Sequence, residues 1–172
     1  MEKIVFDRDA INRSLKRISH EILEKNHNLS DIALVGIKTR GAFLAERLSK
    51  LINEFEGVDI PFLALDVRGY RDDVKREAGA NLEQPEMALN EKAVIIVDDV
   101  LYTGRTVRAA MEAVLEYGRP RVIQLAILID RGHRELPIRA DYTGKNIPTS
   151  KSESVKVLLT EVDGEDLVVI TD

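Results

Sequence analysis

Asp98 and Asp99 are adjacent carboxylates, and the turn Thr103-Gly104-Arg105-Thr106 follows them closely. Two neighbouring carboxylates repel, so both stay ionised comfortably only beside a cation or hydroxyl donors. A vicinal diol, alone or with Mg²⁺, meets that need. The turn offers the complement. Main-chain N–H groups at a helix start, two hydroxyls and a guanidinium would surround a phosphate dianion, and Gly104 lets the backbone come close. Acids for a diol beside a cradle for a phosphate describe a ribose 5-phosphate. The competing reading is an ordinary strand–turn–helix whose Asp and Thr side chains only cap the helix. Walker and dinucleotide-binding glycine patterns are both absent from the sequence.

A second junction of the same kind lies upstream. Lys38, Thr39, Arg40 and Gly41 combine cationic side chains, a hydroxyl and N–H donors at the end of an apolar run. Alone it competes evenly with a solvated turn. Paired with the first junction, it gives two anion sites flanking a diol site, which matches a sugar with phosphate at one end and pyrophosphate at the other. Asp130, Arg131 and His133 follow a third apolar run and are candidates for a base pocket. The edge of a nucleobase presents acceptors and N–H donors, which side chains or backbone groups could read equally well. A structural histidine remains an equal alternative for His133.

The elements that must carry these groups alternate between strand and helix. Val94 to Val97 is a short apolar strand suited to burial on both faces of a parallel sheet, and Thr106 to Glu116 places Val107, Ala110, Met111, Val114 and Leu115 at helical spacing. Ile32 to Ile37 predicts a strand, and the next helix runs to about Leu51 with Phe43, Leu44, Leu48 and Leu51 inward. Ile60 to Val67 and Val122 to Ile129 predict two further strands, with Pro61 tolerable near a strand start. The pattern is an α/β fold with a mostly parallel sheet flanked by helices, in which ligands sit beyond the carboxyl ends of the strands. A polar, irregular stretch from about residue 68 to 90 has the length of a lid loop or a disordered segment, with a tolerated surface insertion as the alternative. Alternating apolar residues on either side of Asp163-Gly164 predict a hairpin. A helix from about Asp9 to Lys25, capped by Asp7 or Asp9, carries Ile11, Leu15, Ile18 and Ile22 on one side, with Arg13, Lys16, Arg17 and His20 opposite. On residues alone, that charge is a solvated face, as are Arg139, Lys145 and Lys151.

Composition narrows the classes. The chain has 172 residues, enough for one domain spanning 1–172, and its 44% apolar and 32% charged content is ordinary for a soluble protein. It has no cysteine, which excludes disulfides, thiolate metal sites and thiol nucleophiles. With no apolar run long enough to span a membrane and no signal-peptide pattern, the expectation is a cytoplasmic protein without a membrane partner. A net charge of −5 argues against indiscriminate nucleic-acid binding and leaves room for a local basic face.

The segment from Val94 to Thr106 closely resembles the phosphoribosyl-diphosphate (PRPP) motif of type I phosphoribosyltransferases. Together with Ile129 to Tyr142 and Gly144 to Ser150, it resembles one bacterial subfamily, the bifunctional pyrimidine operon attenuation regulators and uracil phosphoribosyltransferases. The resemblance covers nearly the whole chain and weakens between Val67 and Asn90. It implies a type I phosphoribosyltransferase fold with a flexible lid and a small hood, and the conversion of uracil and PRPP to UMP with Mg²⁺ bound alongside substrate at Asp98 and Asp99. It assigns Thr39, Arg40 and Gly41 to pyrophosphate, often with a cis peptide in that loop, and puts Arg71 of the lid near the leaving group. It also implies UMP or UTP as effectors, a pyrimidine leader mRNA stem-loop as partner, and a homodimer or larger assembly. On this basis Lys16, Arg17, His20 and Lys25 fall on RNA-contact positions, with Arg13, Arg139, Lys145 and Lys151 extending the basic surface. Two alternatives stand beside it: a purine or orotate transferase without an RNA role, and an RNA regulator with vestigial catalysis.

Overall fold

The computed structural model describes residues 1–70 and 88–172. Five strands, β2 (Ile32–Ile37), β3 (Phe62–Leu65), β4 (Ala93–Leu101), β5 (Val122–Asp130) and β6 (Tyr142–Asn146), form a sheet of order β3-β2-β4-β5-β6. Every pairing in it is parallel, as the apolar runs predicted. Strand side chains alternate between two cores. Ile32, Leu34, Ile95 and Val97 face one cluster with Ile11, Ile18, Leu44 and Ile52. Ala33, Val35, Val94 and Ile96 face the other with Val107, Ala110 and Val114. The period of two thus buries both faces of each central strand.

Three helices supply those covers: α1 (Arg8–Lys25), α2 (Arg40–Glu56) and α3 (Arg105–Glu116). Asp7 caps α1 by accepting from Ala10 N at 2.8 Å. At the far end, the buried Asn26, Gln124 and Tyr142 hydrogen-bond one another and fasten α1 to β5 and β6. Burial pushes the Tyr142 phenol up to about 12, so it stays a neutral donor. The second helix extends past the predicted Leu51 because Ile52 is still buried, and it ends where Gly57 takes a left-handed φ of 66°. Conversely, β3 is shorter than predicted. Pro61 cannot donate to the ladder, and beyond Leu65 the Asp66 carboxylate accepts from Arg68 N and turns the chain. The central strand also differs from expectation: β4 continues through Asp98 and Asp99 to Leu101, because β5 is equally long and pairs with it to the end.

A second, antiparallel sheet has the order β1-β8-β7, from β1 (Glu2–Phe6), β7 (Ser154–Leu158) and β8 (Leu167–Thr171). The predicted hairpin is present as β7 and β8, joined by a single helical turn, α4 (Thr160–Asp163). Arg47 of α2 holds this connection, pairing with Glu161 and with both oxygens of Asp166 at 2.8 and 2.9 Å. Burial raises the Asp166 pKa, but the Arg47 guanidinium and the Thr160 N–H and hydroxyl outweigh it and hold the carboxyl at about 2. A depressed carboxylate stabilises the fold above its unfolded pKa and loses that contribution as pH falls through its folded one. Asp166→Asn should therefore cost roughly 2 kcal/mol at pH 7, and the deficit should shrink steadily between about pH 4 and pH 2. Urea unfolding across that range is the check; a deficit independent of pH would exclude the ion pair as its source.

Candidate functional site

With β2 as the first strand of the parallel sheet, the order reverses between β2 and β4. Such a switch point opens a crevice at the carboxyl ends of the two strands. The two loops singled out from the sequence, 38–41 and 98–106, lie at those ends. A close approach locks the junctions together. A Cβ on Gly41 would collide with the carbonyl oxygen of Val97 and lie 3.1 Å from the Asp98 Cα, so the start of α2 rests directly on the β4 backbone. The Lys38–Thr39 peptide bond in this loop is cis.

Both helices at the crevice begin without a side-chain cap, at Thr39 for α2 and at Gly104 for α3. By contrast α1 has its Asp7 cap. Helix starts of this kind direct N–H groups and the positive dipole end outward and suit anions. Gly104 has φ 94°, and Ile138 and Leu136 pack within 3.3–3.5 Å of where a Cβ would be, so conformation and space both require glycine. The Thr103 carbonyl accepts from Glu135 N at 2.9 Å and Leu136 N at 3.2 Å, bracing the loop from behind. Arg105 donates through Nε to Glu135 at 3.1 Å.

The two acids differ. Asp98 is buried, and its Oδ1 accepts from Asp99 N at 2.9 Å. Burial first, then the neighbouring Asp99 charge, raises the Asp98 carboxyl well above the usual range. Asp99 is half-buried, with Oδ1 accepting from Val100 N at 2.8 Å. The two adjacent carboxyls are thus unequal in burial, and the less buried Asp99 is the more accessible to a ligand. Arg40 lies near enough for the Asp99 charge to raise its pKa, though its largest influence is a two-point pair with Asp163, at 2.8 and 3.2 Å. Lys38 is exposed beside this loop. No group of three or more His, Cys, Asp or Glu side chains suited to a metal exists among the described residues. The donor set fits Mg²⁺ that arrives on substrate phosphates and gains a carboxylate from Asp99, the usual pattern for that ion.

At the base-pocket candidates the side chains are largely engaged in shaping the loop. Asp130 accepts from Gly132 N at 3.0 Å and pairs with Arg134, which also donates to the carbonyl of Tyr102 at 2.9 Å. Arg131 is buried, stacks over the Tyr102 ring at 4.0 Å and donates to the carbonyls of Ser150 and Glu153. His133 has φ 65° and its Nε2 lies 2.5 Å from the Thr149 carbonyl. Sequence reasoning missed Tyr102, Arg134 and Thr149 as members of this neighbourhood, and Asp163 as the partner of Arg40. Arg71, expected on the lid, lies outside the described residues, as does the expected lid from 71 to 87.

Arg13, Lys16, Arg17 and His20 are all exposed on α1. Arg13, Arg17 and Lys145 line one groove of about 620 Å³ with Ile4, Val5 and Phe6 of β1. Arg17 also braces its wall by donating to the carbonyls of Thr143 and Gly144. His20 stacks on Phe55 at 4.3 Å, and Lys25 pairs with Asp141 at 3.0 Å. Arg139 and Lys151 are exposed on two other loops.

Residues 3–162 match the model of the phosphoribosyl transferase domain. A protein named bifunctional protein PyrR from Clostridium perfringens is 57% identical, covering 96% of this chain and 95% of its own length. One of the same name from Enterococcus faecalis is 53% identical, with 99% and 97% covered. Among solved structures, the hypoxanthine phosphoribosyltransferase of Trypanosoma cruzi superposes with a TM-score of 0.75 at 20% identity over 98% of this chain and 95% of that one. At that identity the likeness speaks for the fold alone.

Proposed function

This chain belongs to the phosphoribosyl transferase domain family, and within it to the bifunctional PyrR proteins; from that premise we propose how its crevice transfers phosphoribosyl from PRPP to uracil. The observation that carries the reading is the pair of uncapped helix starts on either side of Asp98 and Asp99 at the switch point. The 5-phosphate rests on the N–H groups and hydroxyls of Thr103 to Thr106. Asp99 takes the ribose hydroxyls, with the more deeply buried Asp98 beside it. The loop from Lys38 to Gly41 receives the diphosphate. Mg²⁺, bound with PRPP, supplies positive charge to the phosphate oxygens. The bond from the anomeric carbon to the diphosphate oxygen breaks, the diphosphate departing with the electron pair, the bond to uracil N1 forms, and the N1 proton passes to water.

Catalysis here is positioning and electrostatics, with no protein nucleophile. The anomeric carbon gains oxocarbenium character, as in glycosyl transfer generally. Asp130 and Arg131 hold the base loop in shape, so main-chain groups of residues 130–133, with His133, meet the edge of the base. Uracil, hypoxanthine and orotate should be compared as acceptors with PRPP and Mg²⁺. UMP formation with uracil preferred is the expected result; preference for a purine or for orotate would overturn the base assignment, and no turnover at all would overturn the transferase.

The second activity is nucleotide-dependent binding of pyrimidine leader mRNA, through the exposed face of α1 and the groove it shares with β1 and Lys145. A nucleotide that tightens RNA binding must itself be tightened by RNA, since the coupling is reciprocal. Arg13→Glu with Lys16→Glu should lower affinity for a leader stem-loop by about tenfold or more and flatten its salt dependence, leaving UMP synthesis unchanged. Unaltered RNA affinity would refute this face. Arg17 is a poorer choice for that test, because its loss would also release the Thr143 and Gly144 carbonyls.

A further inference from the structure

Arg40 and Arg47 lie two helical turns apart on one face of α2, and both reach the short connection between β7 and β8. The outer pair, Arg47 with Glu161 and Asp166, fastens that connection to the helix. The inner pair is different in kind, because Arg40 opens α2 directly after Thr39 and lies close enough to Asp99 to feel its charge. Its Nε and Nη2 both donate to Asp163, which fixes the plane of the guanidinium. Asp163 is itself held: its Oδ2 accepts from Leu159 N at 2.8 Å, while Asp166, three residues on in the same connection, accepts from Thr160 N and Oγ1. A group tethered in this way does not swing aside to release its partner. One edge of the Arg40 fork is therefore anchored, and the Nη1 edge is left pointing away from Asp163.

We propose that Asp163 is a positioning residue for the leaving group: by gripping one edge of Arg40, it presents the other edge to the diphosphate received by the loop from Lys38 to Gly41. The inference rests on the transferase reading and adds to it a link between the small antiparallel sheet and the diphosphate end of the crevice. A free arginine at a helix start samples many rotamers, and ordering it on binding costs affinity. Pre-orientation by Asp163 removes that cost, and the charge of the pair leaves Arg40 fully cationic beside a polyanion.

The test uses the full chain. Asp163→Asn should raise both the KM for PRPP and the inhibition constant of pyrophosphate by about tenfold, with kcat and the KM for uracil close to wild type. Glu161→Gln loosens the same connection without touching Arg40, and should leave both diphosphate constants unchanged. Arg40→Lys keeps the charge but loses the two-point geometry. It should raise the same constants, and adding Asp163→Asn to it should bring no further rise. Titration of Mg²⁺-pyrophosphate by calorimetry gives the readout without turnover. Tenfold weaker binding in Asp163→Asn alone would sustain the inference even if no base proved to be a substrate. Unchanged constants in Asp163→Asn, tighter pyrophosphate binding, an equal effect from Glu161→Gln, or no pyrophosphate binding by the wild type would each overturn it.

Discussion

Asp99→Asn should lower kcat/KM for PRPP by about 100-fold or more while the fold stays intact. The two acids of the central strand are not equivalent, and this is why the prediction names Asp99. Burial pushes the Asp98 carboxyl well up, and the charge on Asp99 pushes it further. Asp99, half-buried at the mouth of the crevice, carries the negative charge that a ribose diol or a phosphate-bound cation would meet. Asparagine keeps the oxygen that accepts from Val100 N, so the local backbone has no reason to move. What disappears is the charge alone. Initial rates with PRPP and uracil, read beside a thermal melt of each protein, separate these effects. An undiminished rate with an unchanged melting temperature would remove Asp99 from the reaction.

Gly41→Ala should cost about 1–3 kcal/mol of stability and, separately, about 100-fold in kcat/KM. The added methyl would meet main-chain atoms of Val97 and Asp98, in a strand paired on both sides, so the neighbours cannot yield. The helix start must retreat instead, and with it the diphosphate loop. Gly36 makes the same kind of seam from the other side, since its Cβ would strike the backbone of Gly41 and Ala42. A displacement near 1 Å at reacting groups is enough for a loss of this size. Denaturant unfolding and steady-state kinetics on the same preparation check both halves. Wild-type stability together with wild-type rates would show that the seam has slack.

Much of this arrangement could be read from the residues because it is local. The runs 32–37, 93–97 and 122–129 are apolar enough to be buried on both faces, and that alone implies a parallel sheet with loops gathered at one edge. The phosphate loop is legible for the same reason, its donors being consecutive. Non-local features left weaker traces. Strand β1 exposes most of its residues and draws its order from pairing with β8, while β6 has only Tyr142 fully buried; neither carries a strong period of its own. The Arg40–Asp163 pair joins positions far apart in sequence, and Asp163 reads locally as a turn residue before Gly164. A usable hint existed in the heptad spacing of Arg40 and Arg47 opposite four acids clustered between 161 and 166. Arg131 shows a side chain whose partners lie far along the chain. Its position at the strand end made it a base-pocket candidate, and its Nη2 also donates to the carbonyls of Ser150 and Glu153, which local sequence does not foretell.

The pairing of Glu2 with Thr171 has a consequence for synthesis. A ribosome releases β1 long before β8 exists, so at ordinary elongation speeds the first strand waits roughly ten to thirty seconds for its mate. Through that interval the parallel sheet can assemble while β1 stays an unmatched edge, open to any exposed backbone it meets. Nascent chains stalled before residue 167 should therefore be the most prone to clump, and release of the last strand should end the hazard.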